Sequence, residues 1–198
     1  MRKLKLQVQI TVDGYVGGPD GDHDWRTWNW DDKLKEFAYP LRDVCDTILL
    51  GRKMAETFIP HFENTVNDLQ SKNADKALDE KFTYANQMVS MPKIVFSKTM
   101  KTFHGKNVSV ENGDLVREIR NLKNKEGKDM IVYGGAGFVS SLIKEELIDE
   151  FNLFVNPVMI NKGLRIFDLL EHRQKLSLIS AKAYECGISV LIFKLNNE

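Results

Sequence analysis

The glycine run at residues 134–137 constrains the fold more than any other feature of this sequence. It follows a short apolar stretch at 130–133 and precedes a segment with helical apolar spacing between Phe138 and Ile143. That order predicts a strand, a tight turn and a helix in succession. Such a turn brings backbone N–H groups and a helix N-terminus close to a phosphate. The spacing is neither GxGxxG nor the Walker pattern, so a phosphate-binding turn and a tight turn that needs small residues both fit.

Strand and helix patterns alternate along most of the chain. Residues 4–12 alternate apolar and polar side chains, which predicts a strand with one buried face. Further strands are predicted at 46–51, 93–97, 107–110, 130–133 and 149–155, and a terminal antiparallel hairpin at 175–185 and 188–195. The order predicts an α/β fold whose central sheet is mostly parallel, flanked by helices with right-handed crossovers, and closed by the C-terminal hairpin.

The helices and the domain count follow from the segments between these strands. Helical spacing at 31–45 is interrupted by Pro40, and another helix opens after Gly51. Residues 63–90 are polar and predict a long surface excursion with one helix near 73–86, and a helix around 115–122 is expected to end before Gly127. No linker or repeat divides the chain, so we expect one domain over residues 1–198.

The composition limits the classes of partner that the chain is expected to bind. The chain has 28 basic and 28 acidic residues among 198, so its net charge gives no reason to expect nucleic acid or an anionic membrane surface as a partner. No stretch is apolar enough for a signal peptide or a membrane helix, which predicts a cytoplasmic protein. Cys45 and Cys186 have no metal-ligand spacing and are expected to be reduced thiols. His23 with Asp20, Asp22 and Asp24 is better explained as an acidic loop than as a metal site, so we predict no metal.

Three other strand ends carry residues suited to a ligand. They are Val12-Asp13-Gly14, Gly51-Arg52-Lys53 and Ser97-Lys98-Thr99. Arginine offers a planar fork to phosphate oxygens and lysine a point charge. Ligands of open α/β sheets bind beyond the carboxyl ends of the strands. Anion-binding groups at several strand ends therefore favour a ligand with more than one phosphate.

The segment after the first strand contains three tryptophans, Trp25, Trp28 and Trp30, in an otherwise polar loop. Loops usually expose polar side chains, so these rings must cover something. They either pack on the protein's own core or a dimer partner, or wall a substrate pocket.

Four stretches in this order resemble the dihydrofolate reductase-like family, and in particular the C-terminal reductase domain of the bifunctional riboflavin-biosynthesis deaminase-reductase, in a stand-alone form. They are ITVDGYVGG at 10–18, DTILLGRKMAETF at 46–58, KIVFSKT at 93–99 and the long stretch at 129–167, with GISVLIFKL fitting near the C-terminus. The resemblance spans nearly the whole chain. It implies a dihydrofolate reductase-like fold with NADPH lying across the strand ends.

The resemblance also implies roles for single residues. The backbone of Gly134, Gly135, Ala136, Gly137 and Phe138 would hold the pyrophosphate. Phosphate groups would meet Arg52 and Lys53, next to Gly51 and Met54. The adenosine 2′-phosphate would lie among Ser97, Lys98 and Thr99, and the nicotinamide near Val12, Asp13 and Gly14. The loop that leads to Trp30 would resemble the family's mobile lid over the nicotinamide.

The sequence identifies substrate-binding residues less clearly than cofactor-binding ones. The family's acidic residue falls in a region that holds Asp31, Asp32 and Glu36, and Asp32 is our prediction for the proton donor, although an acidic pair is also ordinary at a helix start. Phe82 and Tyr84 are candidates for the substrate side.

The leading hypothesis is an NADPH-dependent reductase of a pteridine-like or pyrimidine heterocycle. One alternative is the 5-amino-6-(5-phosphoribosylamino)uracil reductase of riboflavin biosynthesis, for which Arg26 and Lys33 are candidate phosphate ligands. The other is a non-catalytic protein that binds NADPH or a related nucleotide. We also expect a homodimer, because family members often pair through the sheet edge and the net charge is near zero.

Overall fold

A computed structural model describes residues 1–71 and 80–196. Its strands form one eight-stranded sheet in the order β4-β3-β2-β5-β1-β6-β8-β7. The elements in chain order are β1 (Leu4–Thr11), α1 (Asp32–Ala38), α2 (Pro40–Asp43), β2 (Cys45–Gly51), α3 (Arg52–Ser71), α4 (Glu80–Ser90), β3 (Lys93–Phe96), β4 (Val108–Glu111), α5 (Leu115–Asn124), β5 (Asp129–Val132), α6 (Ala136–Lys144), β6 (Glu150–Asn156), β7 (Leu176–Ala183) and β8 (Ser189–Leu195).

The sheet is mostly parallel, as the sequence predicts. Every neighbouring pair from β4 to β6 is parallel. The last two strands form the predicted antiparallel hairpin, which joins the sheet through β8 beside β6. Because β3, β2, β5 and β1 are parallel neighbours, their carboxyl ends follow one another along one edge of the sheet. The four strand-end groups singled out in the sequence therefore share that edge.

The two faces of β1 have different surroundings. Leu4, Leu6 and Val8 belong to a core cluster that also contains Ile119 of α5 and Leu142 of α6. Successive side chains of a strand point to opposite faces, so Gln7 and Gln9 lie on the other face. There a second core cluster joins β2 to α3. A polar stretch of the central strand thus faces the side of the sheet that α3 covers.

The segment between β2 and β3 is more helical than predicted. Helix α3 begins at Arg52, as expected, but continues to Ser71, and α4 covers Glu80–Ser90. The two helices pack through a small buried apolar cluster of Val66, Ala85 and Val89. Polar residues on the other faces of the helices hide this pattern in the sequence. The prediction of a single helix near 73–86 falls partly on residues 72–79, which lie outside the described residues.

The helix predicted at 31–45 is divided at Pro40, as expected. Helix α1 ends before Tyr39 and α2 begins at the proline. Asp31 is the N-cap of α1: its carboxylate accepts hydrogen bonds from the backbone N–H groups of Leu34 (2.9 Å) and Cys186 (3.0 Å). Among the described residues, no helix is long and apolar enough to cross a membrane.

Candidate active site

The glycine run forms an open turn between β5 and α6. Gly134 has a φ of 138° and Gly135 a φ of 85°, a region that favours glycine. Gly135 caps α6 without any side-chain hydrogen bond to the helix N-terminus. A Cβ added at Gly134 or Gly137 would meet nothing within 4 Å, so the backbone here borders open space. The first N–H groups of α6 are thereby presented at the sheet edge, where an anion is favoured.

The turn is held against the end of β2 by close packing. A Cβ added to Gly51 would lie 2.6 Å from the Cβ of Phe138, in the first turn of α6. Phe138 also stacks on Phe96, the last residue of β3, with ring centroids 5.3 Å apart. Three neighbouring strand ends are thus fixed relative to one another. Gly51 and Phe138 shape the edge by packing, while the turn beside them stays open.

The cations predicted to bind phosphate lie at this edge, and they differ in whether another residue already pairs with them. The Arg52 guanidinium donates a hydrogen bond of 2.8 Å to Glu56, four residues along α3. Lys53, Lys98 and Thr99 are exposed. Ser97 uses its Oγ within its own turn, accepting a hydrogen bond of 3.0 Å from the backbone N–H of Met100. Lys53 and Lys98 therefore present their charges to solvent, while Arg52 must leave Glu56 to meet a phosphate.

Asp13, predicted near the nicotinamide, anchors a neighbouring loop. Its carboxylate accepts hydrogen bonds from the Thr11 hydroxyl (2.6 Å) and the backbone N–H groups of Ile160 (3.0 Å) and Asn161 (2.8 Å). The Thr11 bond, foremost among these, lowers the pKa of Asp13 below its ordinary value. Val12 beside it is 60% exposed, and Gly14 forms the turn with a φ of 89°. The carboxylate therefore orders the strand end, and Val12 is the member of this group with free surface.

A cleft lies beside this edge, between β1, α3, α4 and the segment that follows β1. It consists of two adjoining cavities of about 580 and 560 Å³, which share Gln7, Trp28, Trp30, Lys81 and Tyr84. The larger cavity is lined by Met54, which is one of the predicted cofactor residues, and by Tyr133, which directly precedes the predicted Gly134 in sequence. The cleft is of the size usual for small-molecule sites. Its position places a bound small molecule next to the open edge at the glycine turn.

Buried polar atoms without partners concentrate in the cleft lining. In the described part of the chain, six buried side-chain atoms have no hydrogen bond, and four of them belong to residues that line the cleft: Gln7 Oε1, Arg26 Nε, Arg42 Nη1 and the Tyr133 hydroxyl. Burying a polar group without a hydrogen bond costs about 1–3 kcal/mol. Native structures contain few such groups, so this concentration indicates a polar ligand.

Two arginines give the cleft a positive character. Arg42 is 6% exposed, and its guanidinium lies between the rings of Tyr39 and Tyr84, 4.4 and 4.3 Å from their centroids. Arg26 lies against the Trp25 ring, and burial lowers its pKa to about 10. Of the two candidate phosphate ligands from the sequence, Arg26 lines the cleft. Lys33 does not, because it is exposed and pairs with Glu185 at 3.0 Å.

The tryptophans satisfy both explanations offered by the sequence. Trp30 stacks on Phe154 of β6 with centroids 5.5 Å apart and so packs on the core. Trp28 is 67% exposed, and both Trp28 and Trp30 line the cleft. The loop that carries them also binds β6, since the Thr27 backbone N–H donates to the Asn156 side chain at 2.8 Å. The predicted lid is therefore a wall of the cleft.

The structure does not bring Asp32, the predicted proton donor, into the cleft. Its side chain is 91% exposed and pairs with Lys35 at 3.3 Å, one turn along α1. Asp31 is committed to capping the helix, and Glu36 is exposed. Helix α1 turns its apolar side inward, so its acidic residues point to solvent. Both cleft histidines, His23 and His61, lie elsewhere in the chain.

Two further predictions concern the substrate side and a metal. Tyr84 lines both cavities, whereas Phe82 packs with the Val66 cluster between α3 and α4. His23 lines the larger cavity, and burial is the main cause that lowers its pKa. No group of three or more potential metal ligands occurs within residues 1–71 and 80–196.

Sequence reasoning missed several cleft residues. In the sequence, Gln7 and Gln9 have the spacing of the solvent face of a strand. The predicted topology could have identified them. A first strand in the middle of a parallel sheet is covered on both faces, so polar residues on it indicate a cavity rather than solvent. Tyr133 carried a local signal, as a polar ring at the strand end just before the glycine turn. Nothing local marks Arg42.

Comparisons with known proteins agree with this architecture. The family model described as RibD C-terminal domain matches residues 2–190. Two curated relatives from Bacillus subtilis strain 168, the uncharacterized proteins YyaP and YwjB, are each 26% identical to this chain. YyaP aligns over 98% of this chain and 96% of its own length, and YwjB over 92% of each.

Solved structures show the same fold. A putative riboflavin biosynthesis protein from Shewanella sp. PV-4 is 21% identical, covers both chains completely and has a TM-score of 0.69. A diaminohydroxyphosphoribosylaminopyrimidine deaminase/5-amino-6-(5-phosphoribosylamino)uracil reductase from Thermotoga maritima is 17% identical with a TM-score of 0.67. It matches 98% of this chain but 57% of its own.

Proposed function

The chain belongs to the RibD C-terminal domain family, and on that premise we propose that it is an NADPH-dependent reductase that transfers a hydride to a pteridine-like or pyrimidine heterocycle. Family membership supports a reductase role. The observation that carries the finer proposal is the juxtaposition of an open glycine turn with a cleft whose lining residues carry unpaired polar atoms, joined by Met54 and Tyr133.

The residues at the sheet edge fit the phosphates of NADPH. An added Cβ at Gly134 or Gly137 would enter the open space beside the N-terminus of α6, which is the space a pyrophosphate needs. Lys53 and Lys98 are exposed cations that follow β2 and β3, on the same side of β5 in the strand order, and they are suited to the outer phosphates. Bound there, NADPH would supply the hydride.

The cleft residues bind and orient the heterocycle in this proposal. Trp28 and Trp30 offer flat surfaces on the lid side and exclude water from the cleft. The unpaired atoms of Gln7 and Tyr133 fix the ring by hydrogen bonds that the free protein lacks. We assign no proton donor, because Asp32 lies outside the cleft.

Titration of the protein with NADPH and with NADH at low salt, followed by calorimetry, tests the cofactor. We expect NADPH to bind at least tenfold more tightly, and Lys98→Ala to remove most of that preference because it removes a cation beside the 2′-phosphate. Lys101→Ala, another exposed lysine of the same loop, is the matched control. Equal affinity for the two nucleotides, or none for either, contradicts the proposal.

A second candidate is the 5-amino-6-(5-phosphoribosylamino)uracil reductase activity named for the Thermotoga protein. The buried, unpaired guanidinium atoms of Arg26 and Arg42 favour it, since a substrate phosphate would satisfy them. Complementation of a riboflavin-requiring strain that lacks only the reductase step is the test. Growth supports this candidate, and failure by a soluble, NADPH-binding protein excludes it.

A third candidate is binding of NADPH without turnover. The exposed position of Asp32 favours it, because the cleft then lacks the predicted acid. Stopped-flow oxidation of bound NADPH against pterins and flavin precursors separates this candidate from the first. Oxidation by any of them at a rate above the background excludes the non-catalytic reading.

We propose a homodimer that forms through β7. This strand is last in the sheet order, and its Leu178 and Ile179 are 59% and 52% exposed. An apolar edge strand invites pairing with another strand, and the zero net charge offers no repulsion between copies.

A further inference from the structure

The floor of the cleft carries two glutamines side by side. Gln7 and Gln9 lie two residues apart on β1, on the same face of the strand, and both line the larger cavity. A side-chain amide offers a carbonyl oxygen that accepts and an NH₂ group that donates. Which end of each amide faces the cleft therefore decides which chemical groups the floor recognises.

Asn156, at the end of β6, has an orientation fixed by backbone groups of known polarity. It is completely buried. Its Oδ1 accepts a hydrogen bond of 2.8 Å from the Thr27 backbone N–H, which can only donate. Its Nδ2 donates to the Phe154 backbone carbonyl at 3.2 Å, which can only accept. Rotating the amide by 180° would place donor against donor and acceptor against acceptor.

The fixed orientation of Asn156 determines that of Gln9. The same Nδ2 donates to Gln9 Oε1 at 3.1 Å, so Gln9 must turn its oxygen towards Asn156. Its Nε2 is then left without an acceptor among residues 1–71 and 80–196. Two backbone groups thus fix the orientation of the Asn156 amide, and Asn156 in turn fixes that of Gln9, which presents a hydrogen-bond donor at the floor of the cleft.

Gln7 adds the opposite polarity. Its Oε1 is buried and accepts no hydrogen bond in the described residues, although Gln7 lines both cavities. An adjacent donor and acceptor match a ring edge on which a carbonyl group stands beside an N–H group. That edge is a lactam, and a ligand presenting it satisfies both glutamines at once.

We infer that Gln9, oriented by Asn156, donates a hydrogen bond to a ring carbonyl of the substrate while Gln7 Oε1 accepts from the neighbouring ring N–H. The cleft therefore selects heterocycles with a lactam edge over those with amino groups in the same places. This inference rests on the proposed function, because it names the substrate class of that site. Gln7 and Gln9 are specificity-determining residues, and Asn156 is a positioning residue.

Binding of two probes of one ring size tests the inference. Lumazine (pteridine-2,4-dione) has lactam edges, whereas 2,4-diaminopteridine has amino donors and unprotonated ring nitrogens in their place. Quenching of tryptophan fluorescence reports binding, since Trp28 and Trp30 line the cleft. We expect the protein to bind lumazine at least tenfold more tightly. No binding of lumazine, or no preference, overturns the inference.

Gln9→Glu is the decisive variant. A glutamate keeps an oxygen for Asn156 Nδ2 but replaces the donor in the cleft with an acceptor, so we expect the preference to reverse in favour of the diamino ring. Gln7→Glu is the matched control, because it adds the same charge and keeps the acceptor, and it should retain the preference for lumazine. A preserved preference in Gln9→Glu, or equal effects of the two changes, overturns the inference.

Two measurements guard the interpretation. If Gln9→Glu lowers the melting temperature below the assay range, Gln9→Met replaces it, and the lumazine preference should fall to near unity without reversing. NADPH titration of the wild-type protein separates the two proposals. Absence of the lumazine preference in the wild-type protein, with NADPH binding intact, rejects the glutamine pair alone. Absence of NADPH binding with the preference intact rejects the reductase proposal alone.

Discussion

Phe138 occupies the space that a side chain at Gly51 would need. The Cβ of Phe138 lies 2.6 Å from the position of a Cβ on Gly51, and its ring stacks on Phe96 of the next strand. The backbone at the end of β2 is therefore packed directly against the Phe138 side chain in the first turn of α6. This contact sets the distance between the α6 N-terminus and the cations that follow β2.

Gly51→Ala should weaken both folding and cofactor binding. The added methyl group must push α6 away from β2, and overpacking of this kind costs about 1–3 kcal/mol. Because the glycine turn moves with α6, NADPH affinity should fall at least tenfold. Gly105→Ala is the control, since its Cβ would approach Ile59 at 2.8 Å away from the sheet edge. It should lower the melting temperature and leave calorimetric NADPH affinity unchanged.

Gly137→Ala should separate stability from binding. Gly137 lies in the first turn of α6 with a helical backbone, and an added Cβ meets no atom within 4 Å. Alanine is favoured over glycine in a helix by about 0.5–1 kcal/mol, so the melting temperature should rise slightly. NADPH affinity should nevertheless fall, because the methyl group enters the space proposed for the pyrophosphate. Unchanged NADPH affinity in this variant would contradict the proposal that the glycine turn binds the cofactor.

Asp13→Ala should destabilise the protein in a pH-dependent way. The hydrogen bond from Thr11, with those from the backbone at 160 and 161, lowers the pKa of Asp13 in the folded state. A carboxyl group whose pKa is lower in the folded state stabilises the fold above its unfolded pKa of about 3.9, and that contribution disappears as the pH falls through the folded value.

The melting temperature of the Asp13→Ala variant should accordingly lie below that of the wild type at pH 7. The difference should shrink as the pH is lowered from about 4, the unfolded pKa, through the lower folded-state pKa at which the folded carboxylate becomes protonated. Asp20→Ala, an exposed acid of the following loop, is the control and should show no such difference. A gap between Asp13→Ala and wild type that stays constant down to pH 2.5 would contradict the role of the carboxylate charge.

Asp32→Asn should leave turnover unchanged. The side chain is 91% exposed and contacts Lys35, not the cleft. NADPH oxidation with any accepted heterocycle should therefore stay within about twofold of the wild type, since surface changes away from special features have small effects. A loss of a hundredfold or more, with normal NADPH binding, would restore Asp32 as the proton donor.

The grouping of the strand ends at one edge of the sheet was predictable from the sequence and the cleft was not, for a physical reason. Glycines and cations at strand ends are local patterns, and a parallel sheet brings all such ends to one edge, so the groups at Gly51, Ser97 and Gly134 had to meet. Cleft residues come from different elements and meet only through tertiary packing. Gln9 shows the difference, because its hydrogen-bonding polarity depends on Asn156, 147 residues later in the chain.

The acid prediction was local as well, and a local pattern could not determine whether the Asp32 side chain faces the cleft. Two aspartates at a helix start are explained by capping and the helix dipole, and the structure shows Asp31 doing that. Only the packing of α1 against β6 and β8, through Leu34 and Ala38, decides that Asp32 faces solvent.

Leu178→Lys should abolish self-association if the homodimer forms through β7. The substitution places a charge on the exposed apolar edge of the sheet, which disfavours strand pairing between copies. Its side chain is already 59% exposed, so the monomer fold should tolerate lysine and keep its melting temperature within a few degrees. Leu169→Lys, at a site that is 47% exposed and outside β7, is the matched control. We expect sedimentation velocity at micromolar concentration to show a dimer for wild type and Leu169→Lys and a monomer for Leu178→Lys. A monomeric wild type rejects the dimer, and a dimeric Leu178→Lys variant moves the interface away from β7.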